Sequence, residues 1–415
     1  MDGGEGLRIQ LADELPGYYG GIGSAAASRH SFPEGIHPER QRRAGGTAAM
    51  TYLDNGATSF HKPEAVYRFV RCALENCANP GRGGYAAAMS AAKTVLRCRE
   101  RAAELFCCQP EQVVMTSNCT HGLNIAINTL VKPGARVVIS GFEHNAVLRP
   151  LHARRAKIRV TGRKLFDWED TLENFESALK NGADVAVFTH VSNVFGYILP
   201  VEKMAKLCKQ YNVPFVIDAA QSAGVLPVDM AALGADFIAM PGHKGLLGPQ
   251  GTGLLLCNRE PISLLQGGTG SMSKSWDMPD FLPDIAEAGT LNVPGIAGLS
   301  ASLAYVKQEG IERIFAREQR EAQHCGKALE KMGFRVFMGD HQSGTVSFIP
   351  NMDCEEAAQI LADNGIAVRA GLHCAPLAHE SAGTLDSGTV RISYGHNAAP
   401  WQTGNLLLAV EKLVV

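Results

Sequence analysis

Six short apolar runs, set apart by stretches of helical or turn character, constrain this chain more than any other feature. They are Val113-Val114-Met115, Val137-Val138-Ile139, Val185-Ala186-Val187-Phe188, Phe215-Val216-Ile217, Phe237-Ile238-Ala239-Met240 and Gly253-Leu254-Leu255-Leu256. Val201–Tyr211 reads as a helix between the third and fourth. Apolar runs without alternation are strands buried on both faces, and such strands separated by helices predict an α/β fold with a mostly parallel sheet. The loop between the last two runs is too short for a helix, so one of them is expected to run antiparallel. After about residue 296 the pattern becomes a long helix, Ile296–Glu309 continuing to Met332. Strands near Val336 and Val346, a helix Cys354–Asn364 and strands near Ile366 and Val390 follow, which predicts a smaller α+β unit.

A chain of 415 residues holds two or three packed units, at roughly 150 residues per domain. The expected division has 50–65 as an N-terminal segment associated with the small unit, 66–295 as the large unit and 296–415 as the small one. Residues 1–49 carry ten glycines and the run Arg40-Gln41-Arg42-Arg43 without a sustained apolar period, so they read as a disordered or mis-called extension. Met50 is then a candidate start, and a regulatory tail is the rival reading. Lys+Arg 39 against Asp+Glu 41 leaves a net charge of -2, which gives no general attraction to nucleic acid or an anionic membrane. No window approaches the roughly 20 apolar residues of a membrane helix, and no secretory signal is present. The 11 cysteines are scattered with no C-x-x-C pair, which predicts thiols in a reducing compartment, the cytoplasm. Cys72, Cys77, Cys107 and Cys108 are expected to be buried or half-exposed.

Polar residues punctuate the strand ends, where an open α/β sheet forms its ligand crevice. Asp218 and Gln221 follow Phe215-Val216-Ile217, Asn193 follows the strand ending near His190, His144 follows Ile139, and Lys244 follows Met240. A crevice carboxylate needs a partner, and Asp218 lies 26 residues before Lys244. A pyridinium cofactor uses that pair: pyridoxal phosphate requires a lysine for its Schiff base and an acid for its ring nitrogen. Ser117-Asn118-Cys119-Thr120-His121-Gly122 opens a helix-like stretch, whose first amides suit a phosphate. Gly248–Gly253 is glycine-rich but lacks the strand–GxGxxG–helix order of a dinucleotide site. His373, Cys374 and His379 lack a fourth ligand at zinc-like spacing, so no metal is expected.

The segments Tyr52–Thr58, His190-Val191-Ser192-Asn193, Asp218-Ala219-Ala220-Gln221 and His243–Gly253 resemble the class V aminotransferase family. Ala288-Gly289-Thr290 and Arg369-Ala370-Gly371-Leu372-His373-Cys374 narrow the resemblance to the second group of cysteine desulfurases. It implies the pyridoxal-phosphate transferase fold of type I. The implied activity converts L-cysteine to L-alanine and passes the sulfur to an enzyme cysteine as a persulfide, for iron–sulfur cluster assembly or other sulfur transfer. Position by position, Lys244 is implied as the Schiff-base lysine, Asp218 as the pyridinium partner and His144 as the stacking ring with a catalytic part. Gln221 and Asn193 would contact the ring oxygen and substrate region. Cys119, Thr120 and His243 would bind the phosphate. Thr290 would reach the partner subunit's phosphate, which implies a homodimer with shared sites. Arg391 would grip the substrate carboxylate, with Arg369 nearby. Cys374 would accept the sulfur, its thiolate favoured by Arg369 and His373, and pass it to an acceptor protein.

The chain departs from the family pattern at Pro241, Leu291, Leu372 and Ala375-Pro376, which indicates a divergent branch. Selenocysteine lyase, cysteine sulfinate desulfinase and class V aminotransferase are the alternative activities on the same fold. A non-catalytic scaffold is the reading from another class, and Lys244 and Asp218 oppose it.

Overall fold

A computed structural model of the chain describes residues 50–81 and 83–414. The expectation for residues 1–49 lies outside the described residues. In chain order the strands are β1 (Thr51–Tyr52), β2 (Val113–Thr116), β3 (Arg136–Ser140), β4 (Lys157–Thr161), β5 (Val185–Thr189), β6 (Phe215–Asp218), β7 (Phe237–Pro241), β8 (Gly253–Cys257), β9 (Arg335–Phe337), β10 (Thr345–Ile349), β11 (Ile366–Ala367), β12 (Arg369–Gly371) and β13 (Thr389–Ser393). The helices are α1 (Glu64–Asn76), α2 (Ala86–Phe106), α3 (Cys119–Leu130), α4 (Asn145–Ala153), α5 (Trp168–Lys180), α6 (Val201–Tyr211), α7 (Met230–Leu233), α8 (Val293–Glu309), α9 (Ile311–Lys331), α10 (Cys354–Asp363), α11 (Pro376–Ala382) and α12 (Pro400–Val410).

A seven-stranded sheet in the order β2-β8-β7-β6-β5-β3-β4 forms the centre. β8 runs antiparallel to both its neighbours, and the other pairings are parallel. The expected α/β class and the antiparallel strand are both present. Every residue of β5, β6 and β7 is buried, because helices cover both faces. Successive side chains alternate between those faces: Phe188 joins one apolar cluster with Ile217 and Ile238, while Val187 joins the other with Val216 and Ala239.

A four-stranded antiparallel sheet, β12-β13-β10-β9, lies in the C-terminal part. Its core sets Phe348, Val390 and Ile392 against Cys325 and Leu329 of α9 and Leu361 of α10. Leu53 lies in the same core, held there by the β1–β11 pair and the bridge from Asp54 to Ser393. Ile296 to Met332 is two helices, not the single one expected. Gly310, at φ 87°, ends α8 and starts α9, a backbone state that glycine takes without a Cβ clash. Ile296, Leu299 and Leu303 of α8 pack into the central sheet's core, whereas α9 packs on the four-stranded sheet. One straight rod could not face both. Cys107 is a second correction: it is exposed, at the left-handed residue that ends α2.

Candidate active site

The carboxyl edge of the central sheet gathers the polar side chains. Asp218 closes β6 at 2% exposure. Its Oδ1 accepts from the backbone N–H of Ala220 at 2.9 Å and from the Cys119 thiol at 3.3 Å. Cys119 therefore turns its sulfur to Asp218, and burial pushes that thiol's pKa well up. What Cys119 and exposed Thr120 leave for an anion are the first N–H groups of α3. Asn118 caps that helix, its Oδ1 accepting from the His121 N–H at 2.9 Å, a contact worth about 1 kcal/mol.

Lys244 follows β7 in a turn and is half-buried. Burial lowers its pKa, Arg391 adds to that, and Asp218 opposes it. His144 caps α4, its Nδ1 accepting from the Ala146 N–H at 3.0 Å, which places the ring proton on Nε2. Burial also lowers the His144 pKa, so the ring is neutral at neutral pH. The His243 carbonyl accepts from Ser59 N–H and Oγ, both at 3.0 Å, and from Thr58 Oγ1 at 3.2 Å. Burial takes the His243 ring down to about 4, with Lys244 and Lys62 adding to it.

Cys119, Thr120, His144, Asn193, Asp218, Gln221, His243 and Lys244 line one cavity of about 100 Å³. Pro241 lies in its wall. Arg391 and the Cys374 segment attach to this cavity through hydrogen bonds. Arg391, 2% exposed on β13, donates from Nη1 to the Asn193 carbonyl at 2.9 Å and from Nη2 to Asp54 Oδ1 at 2.6 Å. Asn193 Nδ2 donates to the His373 carbonyl at 2.8 Å, and the Asn145 N–H, next to His144, donates to the Cys374 carbonyl at 2.8 Å. Cys374 itself is exposed. Gly371, His373 and Cys374 all have positive φ, at 95°, 51° and 57°, so a tightly turned backbone presents the thiol. Arg369 is exposed on β12, in register with Arg391.

His373 does not supply the positive charge expected of it. Its ring is buried, and that burial, with Arg391 close by, takes its pKa to about 3. Arg369 is left as the cation of that segment. Thr290 stands apart from the first cavity. It lines another of about 770 Å³ with Gly268, Thr269, Gly270 and the buried ion pair of Arg99 and Glu287, 2.5 Å apart.

Three residues went unassigned in the sequence reading. Asp54 sits inside the quoted motif Tyr52–Thr58, so its place near the site was signalled, though its pairing with Arg391 was not. Glu143, fully buried, accepts the Thr189 N–H at 3.0 Å and the Ser140 hydroxyl. Burial raises its pKa to about 8. Glu318 is the third, and no sequence signal marks it.

This donor set fits pyridoxal phosphate. A buried carboxylate, an amine whose charge is disfavoured, a neutral imidazole and the free N–H groups of a helix start face one space. The class-V aminotransferase family model matches residues 51–400. The chain belongs to the class-V aminotransferase family. That family's fold is the pyridoxal-phosphate transferase fold of type I, and the mainly parallel central sheet agrees with it. A probable cysteine desulfurase of Methanothermobacter thermautotrophicus is 33% identical over 80% of this chain and 88% of its own length. Another from Pyrococcus abyssi is 30% identical over 89% of this chain and 95% of its own. The apo structure of a cysteine desulfurase from Thermococcus onnurineus superposes with a TM-score of 0.81 at 30% identity, covering 88% of this chain and 94% of that one. The Escherichia coli cysteine desulfurase CsdA gives 0.77 at 26% identity, covering 92% and 99%. Both comparisons support an enzyme of this kind.

Proposed function

We propose that this family member is a pyridoxal-phosphate-dependent cysteine desulfurase, converting L-cysteine to L-alanine and taking the sulfur onto Cys374. The observation that carries the reading is that the Cys374 segment is hydrogen-bonded to the same rim, at Asn145 and Asn193, that holds His144, Asp218 and Lys244. Asp218, His144, Lys244, Gln221 and the start of α3 would hold the cofactor. When bound, it supplies an electron sink for a carbanion at the substrate's Cα.

Lys244 Nζ removes and returns the Cα proton, a task suited to an amine whose charged form burial disfavours. Asp218, buried at the end of β6, would hold the proton at the cofactor's ring nitrogen. Arg391 orients the substrate carboxylate with its planar fork, steadied by Asp54. Cys374 Sγ takes the substrate sulfur as a persulfide, the Cβ–S bond breaks, and a proton at Cβ completes alanine. Arg369 is the cation carried by the same segment, exposed on β12.

The same reading has Thr290 completing the phosphate site of a second copy in a homodimer, and the persulfide passing to an acceptor protein in the cytoplasm, for iron–sulfur assembly or another transfer. The division we propose keeps 50–65 with the C-terminal unit 296–415, on the strength of the β1–β11 pair, and 66–295 as the cofactor unit. Incubation of the loaded protein with L-cysteine tests the activity: alanine and transferable sulfur should appear in equal amounts, and absence of alanine would refute it.

A further inference from the structure

We propose that the buried Arg99–Glu287 pair sets the position from which Thr290 reaches the cofactor phosphate of a second copy, which makes both members positioning residues for that site. The proposal rests on the reading of Thr290 given above. Thr290 is exposed, in the short stretch between Glu287 and Asn292. Glu287 is 9% exposed, and Arg99, 8% exposed on α2, is its partner. Arg99, Glu287, Gly289 and Thr290 line the same cavity of about 770 Å³. That cavity shares no lining residue with the one that holds Lys244.

The pair grips the open side of β2. That strand ends the sheet, with β8 as its one neighbour, so its outward N–H and C=O groups need partners from elsewhere. Glu287 Oε1 accepts from the Met115 N–H at 2.5 Å, and Arg99 Nη1 donates to the Val113 carbonyl. Between the two side chains, Arg99 Nη1 donates to Glu287 Oε1 at 2.8 Å and Nη2 donates to Oε2 at 2.5 Å. The planar guanidinium thus meets the carboxylate fork to fork, which fixes direction as well as distance. α2, β2 and the stretch that carries Thr290 are joined at this one point.

From Glu287 to Thr290 the chain has little freedom. Gly289 turns at a φ of 93°, which glycine adopts without a Cβ clash, and its N–H donates to the Gly268 carbonyl at 2.8 Å. On the other side of Thr290, Asn292 caps α8, its Oδ1 accepting from the Gly295 N–H at 3.1 Å. Asn292 Nδ2 also donates to the Gly251 carbonyl at 3.3 Å. Thr290 therefore stands between two ties, Glu287 to the sheet edge and Asn292 to the start of α8. A hydroxyl displaced by about 1 Å no longer makes a hydrogen bond. Release of the Glu287 tie should cost the phosphate contact and leave the Lys244 cavity as it was.

Pyridoxal, which lacks the phosphate, separates positioning from general support of the fold. Absorption titrations of the full chain stripped of cofactor give a Kd for pyridoxal phosphate and one for pyridoxal. Thr290→Ala should weaken pyridoxal phosphate about tenfold, the worth of one hydrogen bond to a charged group, and leave pyridoxal unchanged. Glu287→Ala removes the tie and should show the same selective loss. The double variant should lose no more than Thr290→Ala alone. Wild-type affinity for pyridoxal phosphate in Glu287→Ala, equal weakening of both ligands, or losses that add in the double variant would each overturn the proposal. If Glu287→Ala does not fold, Glu287→Gln is read by the same three outcomes, since its amide sets a donor against Arg99 Nη2 where the fork needs an acceptor. An unchanged preference for pyridoxal phosphate in Thr290→Ala would instead refute the reading of Thr290 itself.

Discussion

Replacing Asp54 with alanine tests how the site is braced. Arg391 is a buried cation with a side chain 3% exposed, and Asp54, 19% exposed, is its counterion at 2.6 Å. Without it, one hydrogen bond to the Asn193 carbonyl remains, and Arg391 Nε already lacks a partner. Removing one member of a buried pair costs about 3–5 kcal/mol. The partial exposure of Asp54 admits water, which places the expected loss near about 3 kcal/mol. Asp54→Asn keeps an acceptor oxygen and should lose about half as much. Urea unfolding reads the change as a lower midpoint at an unchanged slope. The loosened Arg391 holds Asn193, which holds His373, so KM for L-cysteine should rise as well. A stability loss in Asp54→Ala below about 0.5 kcal/mol, the range of a surface pair, would refute the reasoning.

Lys244→Ala should abolish both the visible absorption of the loaded protein and its turnover; retained desulfurase activity would contradict the role given to the amine. Asp218→Asn should keep the cofactor bound while turnover falls about 100-fold, measured as alanine formed at saturating L-cysteine. Glu143 and Glu318 are raised in the folded state to about 8 from an ordinary 4.5. The folded protein therefore binds more protons than the unfolded one between those values, and its stability should fall as the pH rises through them. Denaturant titrations of Glu143→Gln across that window should show a shallower fall than the wild type.

The sequence makes the sheet legible where strands are buried on both faces, since uninterrupted apolar runs mark β5, β6 and β7. The helix Val201–Tyr211 is found with the expected ends. β4 is not legible: Lys157, Ile158 and Arg159 are exposed on an edge strand, so no apolar run marks it. The break at Gly310 is hidden because helical character continues on either side, and only the packing shows that α8 and α9 serve different cores. At the site, polar residues at strand ends gave the cavity, because backbone direction alone puts them there. Burial and long-range pairing were out of reach. His373 lost its expected charge to an enclosure no local pattern reports. Arg391 meets Asp54, 337 residues away in the chain, and Glu318 is buried on a helix whose sequence looks merely charged.

The central claim, that Cys374 is where the sulfur lands, is tested most directly by mass spectrometry of the loaded protein after brief exposure to L-cysteine. The peptide carrying Cys374 should gain one sulfur atom, removable by reductant. Cys374→Ser should gain none and make no alanine, while its cofactor spectrum still shifts on adding L-cysteine, because a hydroxyl is a poor nucleophile toward sulfur. An added sulfur found on another cysteine, or alanine formed by Cys374→Ser at the wild-type rate, would contradict the account.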